Sequence, residues 1–533
     1  MTPSSRASRS FKNGFGGLLS LSLLATSDTI AHGSEQFLHP ASMPRIAAVD
    51  ERFQSYNIEM VEVTGGRFWR PYTPRTPSGQ PDQELYADRP PIDLANARLR
   101  KLSTALSPAY VRISGTRANS TYFADSEVAP SEPPAGFSSV LSRARWRAVV
   151  DFARAAGARI VTSFAVSPGT RDHAGIWTTD QANSLLVYTR SLQASIAAAE
   201  FMNEPNLAAQ NGAPAGYDAK AYARDFAIFR KFIAKASPKT LIVGPGSTGE
   251  TASGPVSSMA TANLLAAGAR GVEVFSYHHY ATLSQRCGVR DAPEDILSDA
   301  WLSRTDRALA FYRALRDRFE PNKPLWLTET ADAACGGNPW DATYADTFRY
   351  LDQLGRLAKA GVRVVMHNTL SGSDYGLLDE ETFDPRPDFW AALLWHRLMG
   401  RIVLDPDLPS RPDLHVYAHC LPPPAGGVSV LVINMSRTES HTLGIPMASE
   451  RYTLHATDLQ SKSLQLNGRT LALGDDDALP DIAAIPTRAG EATFEPTTLT
   501  FLAMPKAANP VCQRGSVRTS PSGLHRRRAA ERG

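Results

Sequence analysis

The chain has 533 residues, more than one hydrophobic core usually holds, so its length predicts one large domain and a smaller one. Its 43% hydrophobic, 8% aromatic and 20% charged residues are typical of a folded globular protein and exclude extensive disorder. The formal net charge of +3, from 56 basic and 53 acidic residues, is too small to indicate a nucleic-acid partner.

The N-terminus has the pattern of a secretory signal. Arg6, Arg9 and Lys12 precede the apolar stretch GLLSLSLLA at 17–25, and small residues follow it. This order predicts a signal peptide over residues 1–31 and a secreted or periplasmic protein. A merely basic, disordered terminus is the alternative. The apolar stretch is too short to span a bilayer, so we expect no stable membrane insertion.

From about Asn57 to Gly400, short β-branched runs alternate with longer segments of helical periodicity, as in repeated βα units around a parallel sheet. The strand candidates are IEMVEVTGG, AYVRISGT, ARIVTSFAV, AAAEFMN, TLIVGPG, VEVFSYHHY, PLWLTET and VRVVMHNT. The clearest helical segments are WRAVVDFARAAG, DAKAYARDFAIFRKFIAKA, DRALAFYRALRDRF and DTFRYLDQLGRLAKAG. These units predict an α/β fold, a (β/α)8 TIM barrel over residues 45–400.

After Gly400 the helical periodicity ends. Runs such as LHVYAHC, VSVLVINM, RYTLHATDL and LTFLAMP are separated by proline, glycine and aspartate clusters, which predicts a C-terminal all-β sandwich domain over residues 401–506. Residues 507–533, with HRRR near their end, predict a disordered basic tail. Binding of this tail to an anionic surface is the less favoured interpretation.

Four cysteines are present without any CxxC pair, which argues against a zinc site. Export would allow two disulfides, Cys287 with Cys335 and Cys420 with Cys512, each within one region of the chain. Free buried thiols are the alternative. No GxxxxGK phosphate loop and no GxSxG motif occurs, and we expect neither a cofactor nor a bound metal.

Two glutamates follow strand candidates at the edge where a TIM barrel carries its catalytic groups. Glu204 follows the fourth candidate and Glu329 the seventh. Either alone is more often a solvated loop residue. Pro205 restricts the chain beside Glu204, however, and an apolar run delivers Glu329 to a glycine-rich loop. A glycosidase needs two carboxyl groups flanking the bond that it cleaves, and this pair meets that requirement.

The sixth strand candidate ends in SYHHY. Adjacent histidines point to opposite sides of a strand, so His278 and His279 do not form a natural metal site. Tyr280 is better placed to donate a hydrogen bond to a nucleophilic carboxylate and keep it ionised. A core-lining or sugar-stacking tyrosine is the alternative.

Together these stretches resemble the family 79 glycoside hydrolases, the family of heparanases and β-glucuronidases within the retaining (β/α)8 clan. FMNEPN and LWLTETADAACGG resemble the acid/base and nucleophile motifs, and VRVVMHNTLSGSDYGLLDEETFDPRPDFWAALLWHRLMG at 362–400 is the most specific match. The resemblance covers about residues 58–505. It implies that Glu204 is the acid/base and Glu329 the nucleophile, with carboxyl groups about 5 to 5.5 Å apart.

The resemblance also implies substrate contacts. Tyr375 and the backbone of Ser373 and Asp374 would hold a uronic-acid carboxylate, although Asp374 brings a negative charge close to that anion. Four more residues match sugar-contacting or nucleophile-supporting positions: Asn203, Tyr280, Thr116 and, as a weaker candidate, Glu62.

The implied function is retaining hydrolysis of β-linked glucuronic acid in glycosaminoglycans or related glucuronides, by an exo-β-glucuronidase or a heparanase-like endo-β-glucuronidase. The expected partner is a uronic-acid-containing oligo- or polysaccharide. Two alternatives stay open: a non-catalytic carbohydrate-binding or adhesion protein on the same barrel, and a clan relative acting on neutral sugars. The sequence decides neither the endo or exo mode nor the oligomeric state.

Overall fold

The computed structural model describes residues 36–72, 85–251, 259–289, 291–422 and 425–514. The predicted signal peptide lies outside the described residues, and so does the chain after Arg514. Within the described ranges, no helix is both long enough and apolar enough to cross a membrane.

Eight parallel strands close into a barrel, which confirms the predicted fold class. Each strand pairs with its neighbours in the chain, and the eighth pairs with the first. The strands, numbered one to eight below, are Gln54–Glu59, Ala109–Ser114, Ala158–Ser163, Ile196–Glu200, Leu241–Ser247, Val274–Leu283, Leu325–Ala334 and Val364–His367. This order places the fourth strand directly across the barrel from the eighth.

The first strand lies earlier in the chain than the sequence pattern predicts. IEMVEVTGG predicts a strand over 58–66, but the strand ends at Glu59 and helix Met60–Thr64 follows it. The Glu59 backbone N–H donates to the Glu62 carboxylate at 2.7 Å, a capping box that begins a helix. The prediction fails here because a short apolar run fits a buried helical turn as well as a strand.

Helices connect the strands and cover the outside of the barrel. Helix Ala219–Ala236 is representative: Asp218 caps it, and Tyr222, Phe226 and Ile233 lie on its buried face. The remaining α-helices of the described barrel residues are Met60–Thr64, Ala97–Ala105, Arg143–Ala155, Asp180–Ser191, Thr261–Ala266, Asp299–Leu302, Arg304–Phe319, Tyr344–Lys359 and Pro387–Leu398.

The C-terminal region forms a nine-stranded sheet with a two-stranded sheet packed over it, and buried apolar residues lie between them. The two-stranded sheet consists of His441–Ile445 and Gly490–Phe494. The strands of the larger sheet are Arg45–Ala48, Ile402–Leu404, Leu414–Cys420, Val428–Asn434, Ser449–His455, Gln465–Leu466, Arg469–Thr470, Ile485–Thr487 and Thr498–Met504.

Both ends of the described chain depart from the predicted boundaries. Arg45–Ala48, assigned to the barrel by sequence, pairs antiparallel with Ile402–Leu404 and so extends the C-terminal sheet. Residues 507–514, assigned to a disordered tail, are ordered and include helix Pro510–Arg514. They are fixed by Asn509, whose buried side-chain amide donates to the carbonyls of Pro40 and Met43.

Two disulfides are present, Cys287 to Cys335 and Cys420 to Cys512. These are the two pairs that the sequence allows within single regions, and no cysteine is free. The second disulfide ties helix Pro510–Arg514 to strand Leu414–Cys420, which gives a second reason why the chain remains ordered beyond residue 506.

The C-terminal sheet packs against helix Tyr344–Lys359, which follows the seventh barrel strand. The Tyr344 hydroxyl donates to the Thr497 carbonyl at 2.7 Å and lies 3.1 Å from the Leu454 carbonyl oxygen. Asp352, fully buried on the same helix, accepts hydrogen bonds from Tyr417 and His415 of the sheet. The smaller domain therefore braces the helix behind the strand that carries Glu329.

Candidate active site

Polar side chains occupy the upper part of the barrel interior. Because successive side chains alternate between the two faces of a strand, Tyr110 lies at the base of the barrel and Arg112 one layer above it. Tyr110 packs on Trp326 there, with ring centroids 5.0 Å apart. The rest of the base layer is apolar: Val161, Ala198, Val243, Val274, Val364 and Met366. The charged side chains of the barrel interior therefore lie above this apolar layer, toward the rim where barrel enzymes bind their substrates.

Glu204 lies just beyond the fourth strand, where the helical turn Pro205–Leu207 begins. Its φ of 45° is in the left-handed region, which few residues other than glycine adopt and which is common at functional sites. The residue is 8% exposed. It lies 3.1 Å from Nδ1 of His278 and 3.4 Å from Nδ2 of Asn211.

Asn203 is fixed beside Glu204 by two partners. Its backbone N–H and C=O pair with the side-chain amide of Asn119 at 2.8 and 2.9 Å. Its Oδ1 accepts a hydrogen bond from Arg112 at 2.7 Å. Its Nδ2 makes no hydrogen bond within the described residues, so this donor is available to a ligand.

Glu329 lies on the seventh strand and is surrounded by donors. Tyr280 donates to its Oε1 at 2.7 Å, and Arg112 donates to its Oε2 at 2.9 Å. Burial by itself raises the pKa of Glu329, but attraction to His278 and Arg112, together with these hydrogen bonds, lowers that pKa below its ordinary value. Glu329 is therefore a charged carboxylate inside the barrel.

The two glutamates face each other across the site. Carboxylate oxygens of Glu204 and Glu329 and a ring nitrogen of His278 all lie within 4.8 Å of one another. His278 lies between the guanidinium and the acid, with its Nε2 3.3 Å from Arg112 and its Nδ1 3.1 Å from Glu204. Such a triad could bind a metal ion, but its atoms already hold protein hydrogen bonds and the positive charge of Arg112 opposes a cation.

Arg112 is a functional residue that sequence analysis missed. It is 1% exposed and also donates to Glu200, at 2.8 and 3.0 Å. A buried guanidinium is costly unless carboxylates compensate its charge, and Glu200 and Glu329 do so from opposite sides of the barrel. The sequence did contain one indication of this residue, because the arginine of AYVRISGT is a charged residue at a strand position that points into the barrel.

Glu59 and Glu62 have different positions. The Glu59 carboxylate lies beside Gly115, where a Cβ atom would collide with it, and accepts a hydrogen bond from Asn368 at 3.3 Å. Burial and the nearby charge of Glu329 raise the pKa of Glu59 well above its ordinary value. Glu62, the candidate from sequence, is used in the capping box, and burial raises its pKa to about 8. The structure places Glu59, rather than Glu62, beside Glu329.

Asn368, at the end of the eighth strand, joins two tyrosines. Its Nδ2 lies 3.0 Å from the Tyr280 hydroxyl and 3.3 Å from the Tyr375 hydroxyl. Tyr280 thus accepts from Asn368 while it donates to Glu329. Tyr375 accepts from Asn368 in the same way, which leaves its own hydroxyl hydrogen for a ligand. Sequence analysis predicted both tyrosines but not the amide that orients them.

Ser373 and Asp374 are largely occupied by protein contacts. The Ser373 N–H donates to Glu380 at 3.1 Å, and its hydroxyl donates to the Gly336 carbonyl at 2.8 Å. Asp374 pairs with Arg286 at 3.0 Å, which offsets the negative charge that the sequence places there. Burial raises the pKa of Asp374 to about 6, although Arg286 acts in the opposite direction.

Thr116 lies at the start of the helical turn Thr116–Ser120 and is exposed. Its side chain makes no hydrogen bond to the catalytic pair or to any other described residue. Thr116 is the one predicted contact that this structure leaves at the outer rim of the site.

Comparison with known proteins gives a family match. The model for the N-terminal domain of glycosyl hydrolase family 79 matches residues 88–355. The chain is 30% identical over 398 residues to heparanase-like protein 1 of Arabidopsis thaliana, a match that covers 70% of each chain. It is 33% identical over 215 residues to baicalin-β-D-glucuronidase of Scutellaria baicalensis, covering 38% of this chain and 40% of that protein.

A solved structure shares the fold at low identity. The 4-O-α-L-rhamnosyl-β-D-glucuronidase of Fusarium oxysporum 12S superposes with a TM-score of 0.62 at 15% identity, covering 88% of this chain and 100% of that one. Both domains therefore have counterparts in a protein of known structure.

The raised pKa of Asp374 makes stability depend on pH. This group holds a proton in the folded chain up to about pH 6, whereas the unfolded chain releases it near 3.8. Folding therefore binds a proton, and raising the pH from 4 to 6 lowers the free energy of unfolding by up to about 3 kcal/mol from this group. The Asp374→Asn variant should lack this contribution, so its free energy of unfolding should decrease less as the pH rises. Urea denaturation at pH 4, 5, 6 and 7 measures the difference.

Asp481→Asn, which changes an exposed aspartate in the smaller domain, is the matched control and should retain the wild-type slope. If the free energy of unfolding depended on pH equally in wild type and Asp374→Asn, the raised pKa of Asp374 would be contradicted.

Proposed function

We propose, since this chain belongs to glycosyl hydrolase family 79, that it hydrolyses β-D-glucuronides with retention of configuration. Glu204 would be the acid/base and Glu329 the nucleophile. The observation that carries this proposal is the approach of the two carboxylates to within 4.8 Å in unlike surroundings. A separation of about 5 Å leaves room for the anomeric carbon but not for an intervening water, which is the retaining arrangement.

In the first step, a Glu329 oxygen attacks the anomeric carbon while the bond to the leaving oxygen breaks and Glu204 gives that oxygen its proton. The lowered pKa of Glu329 keeps the nucleophile charged. Arg112 and Tyr280 hold the carboxylate in place, so its orientation costs no further entropy during the reaction.

In the second step, Glu204 takes a proton from water, and the water oxygen attacks the anomeric carbon. The bond to Glu329 then breaks, and its electron pair returns to the carboxylate. Arg112 and Tyr280 stabilise the charge that reappears on Glu329, since both donors are already aimed at its two oxygens. The sugar leaves with its original configuration.

Recognition of the glucuronate carboxylate would fall to the loop after the eighth strand. The Tyr375 hydroxyl has a free hydrogen, because Asn368 occupies its acceptor side. The backbone N–H groups of Asp374 and Tyr375 have no partner within the described residues and can also donate to an anion. The Ser373 N–H is bound to Glu380, so we do not assign it this role.

We also infer that the protein is exported and acts on a uronic-acid-containing carbohydrate outside the cytoplasm. The basic and apolar pattern of residues 1–31 supports export. The two disulfides support it independently, because structural disulfides persist in oxidising compartments.

The two glutamates should respond differently to substitution. Glu329→Gln should lower kcat at least about 1,000-fold on both phenyl and 4-nitrophenyl β-D-glucuronide, because no nucleophile remains. Glu204→Gln should lower kcat/KM about 100-fold or more on the phenyl glucuronide and less on the 4-nitrophenyl glucuronide, whose leaving group needs no proton. Initial rates on both substrates measure this difference.

Glu439→Gln, an exposed glutamate in the smaller domain, should leave both rates unchanged. If wild type hydrolysed neither glucuronide, or if Glu329→Gln retained full activity, the proposed function would be wrong.

Tyr280→Phe should move the acidic limb of the pH profile. Loss of the hydroxyl removes a hydrogen bond that lowers the pKa of Glu329, so the nucleophile becomes protonated at higher pH. The acidic limb of log kcat/KM should shift upward in pH, with kcat about tenfold lower from one lost hydrogen bond. Tyr277→Phe is the control on the same strand, since that buried hydroxyl has no partner among the described residues. A kcat loss without a shifted limb would contradict the assignment.

Tyr375→Phe should reduce selectivity for the uronate. The variant lacks the hydrogen proposed to bind the carboxylate, so its ratio of kcat/KM for 4-nitrophenyl β-D-glucuronide over the β-D-glucoside should fall about tenfold. Tyr277→Phe should keep the wild-type ratio. An unchanged ratio in Tyr375→Phe would instead favour a neutral-sugar substrate.

A further inference from the structure

Four loops at the rim of the barrel are linked to one another on one side of the site. They follow the first, sixth, seventh and eighth strands, and we call the linked part the closed rim: residues 69–72, 286–287, 335–337 and 373–374. We propose that the closed rim blocks the non-reducing side of the sugar-binding site, so that the enzyme removes terminal β-glucuronosyl residues in an exo mode. This inference rests on the proposed function and narrows it.

A covalent bond joins two of these loops. The disulfide between Cys287 and Cys335 connects the loop after the sixth strand to the loop after the seventh. These loops therefore cannot separate to admit a longer chain.

Arg286, next to that disulfide, extends the linkage to the other two loops. Its guanidinium pairs with Asp374 at 3.0 Å and stacks over the Tyr72 ring at 3.9 Å from the centroid. The Tyr72 backbone N–H donates in turn to Asp374 at 3.2 Å. With side chains only 4% and 10% exposed, this ion pair is shielded from solvent screening.

Gly336 is the point at which three loops meet. A Cβ atom there would lie 2.5 Å from Trp69 and 2.9 Å from the Ser373 hydroxyl. The Ser373 hydroxyl donates to the Gly336 carbonyl at 2.8 Å. The Trp69 and Ser373 side chains therefore lie directly against Gly336 and leave no space for a side chain there, so a sugar cannot pass between them.

The strand order shows which end of the substrate the closed rim faces. Glu204, the proposed donor to the leaving group, follows the fourth strand, and Glu329 lies on the seventh. The aglycone therefore leaves on the side of the fourth strand, and the rest of the sugar extends toward the seventh, eighth and first strands. The closed rim is built on that side.

The chemistry of glucuronic acid gives a second, independent reason. The carboxylate is attached to C5, and O4 is on the adjacent carbon. If Tyr375 and the amide of Asp374 bind the carboxylate, O4 lies next to Asp374 and its partners Arg286 and Tyr72. A preceding sugar on O4 would occupy the space of these side chains.

The test compares two aryl glucuronides that differ only at O4. One is 4-nitrophenyl β-D-glucuronide, and the other is the same compound with an N-acetylglucosaminyl residue on O4. Wild type should release 4-nitrophenol from the capped compound with kcat/KM at least about 100-fold lower, because discrimination then rests on steric exclusion from a fixed site.

Two variants test whether the closed rim causes this discrimination. One is the double variant Cys287→Ser/Cys335→Ser, and the other is Arg286→Ala. Each should lower the ratio of kcat/KM for the uncapped over the capped compound at least about tenfold, because the linked loops are loosened. The matched control is Cys420→Ser/Cys512→Ser, which removes the disulfide of the smaller domain and should leave the discrimination unchanged. Circular dichroism establishes that each variant is folded.

The outcomes separate this inference from the proposed function. Hydrolysis of the uncapped compound alone, with discrimination reduced in both rim variants, would support exo action. Equal hydrolysis of both compounds by wild type would overturn the inference and leave the proposed function standing. If both folded rim variants kept the wild-type ratio of kcat/KM for the uncapped over the capped compound, the inference would also be overturned. Absence of hydrolysis of the uncapped compound would overturn the proposed function and this inference together.

Discussion

The active site depends on compensating one buried positive charge. Arg112 is 1% exposed, and an unpaired guanidinium at that depth would cost several kcal/mol. Glu200 on the fourth strand and Glu329 on the seventh compensate it from across the barrel. The position of Glu329 is thus tied to the charge balance of the barrel interior, and a change in any of the three partners leaves an uncompensated charge.

The same charge divides the acids of the site into unlike protonation states. Arg112 and Tyr280 donate to Glu329, whose pKa is lowered, whereas burial and the charge of Glu329 raise the pKa of the neighbouring Glu59. Two adjacent buried carboxyl groups can therefore share the site without both being charged. The Asn368 amide lies within hydrogen-bond distance of Glu59, Tyr280 and Tyr375, so one group is next to both the donor to Glu329 and the proposed uronate ligand.

Rigidity is added from outside the barrel. The smaller domain contacts the helix behind the seventh strand through Tyr344 and Asp352, and the rim loops above that strand are held by a disulfide and the Arg286–Asp374 pair. Glu329 therefore lies on a strand braced at both ends. A nucleophile held in one orientation reacts without a prior search of conformations, which is the physical benefit of this support.

The sequence by itself determined the alternation of strands and helices, the family and the two glutamates Glu204 and Glu329, because hydrophobic periodicity and contiguous motifs are local properties of a chain. Local patterns could not assign roles to Arg112, Glu59 and Asn368, since these roles depend on partners more than 80 residues away. The same holds for strand Arg45–Ala48, which pairs with a strand beyond residue 400. Only the tertiary structure decided these, because charge compensation and strand pairing depend on distances that folding alone creates.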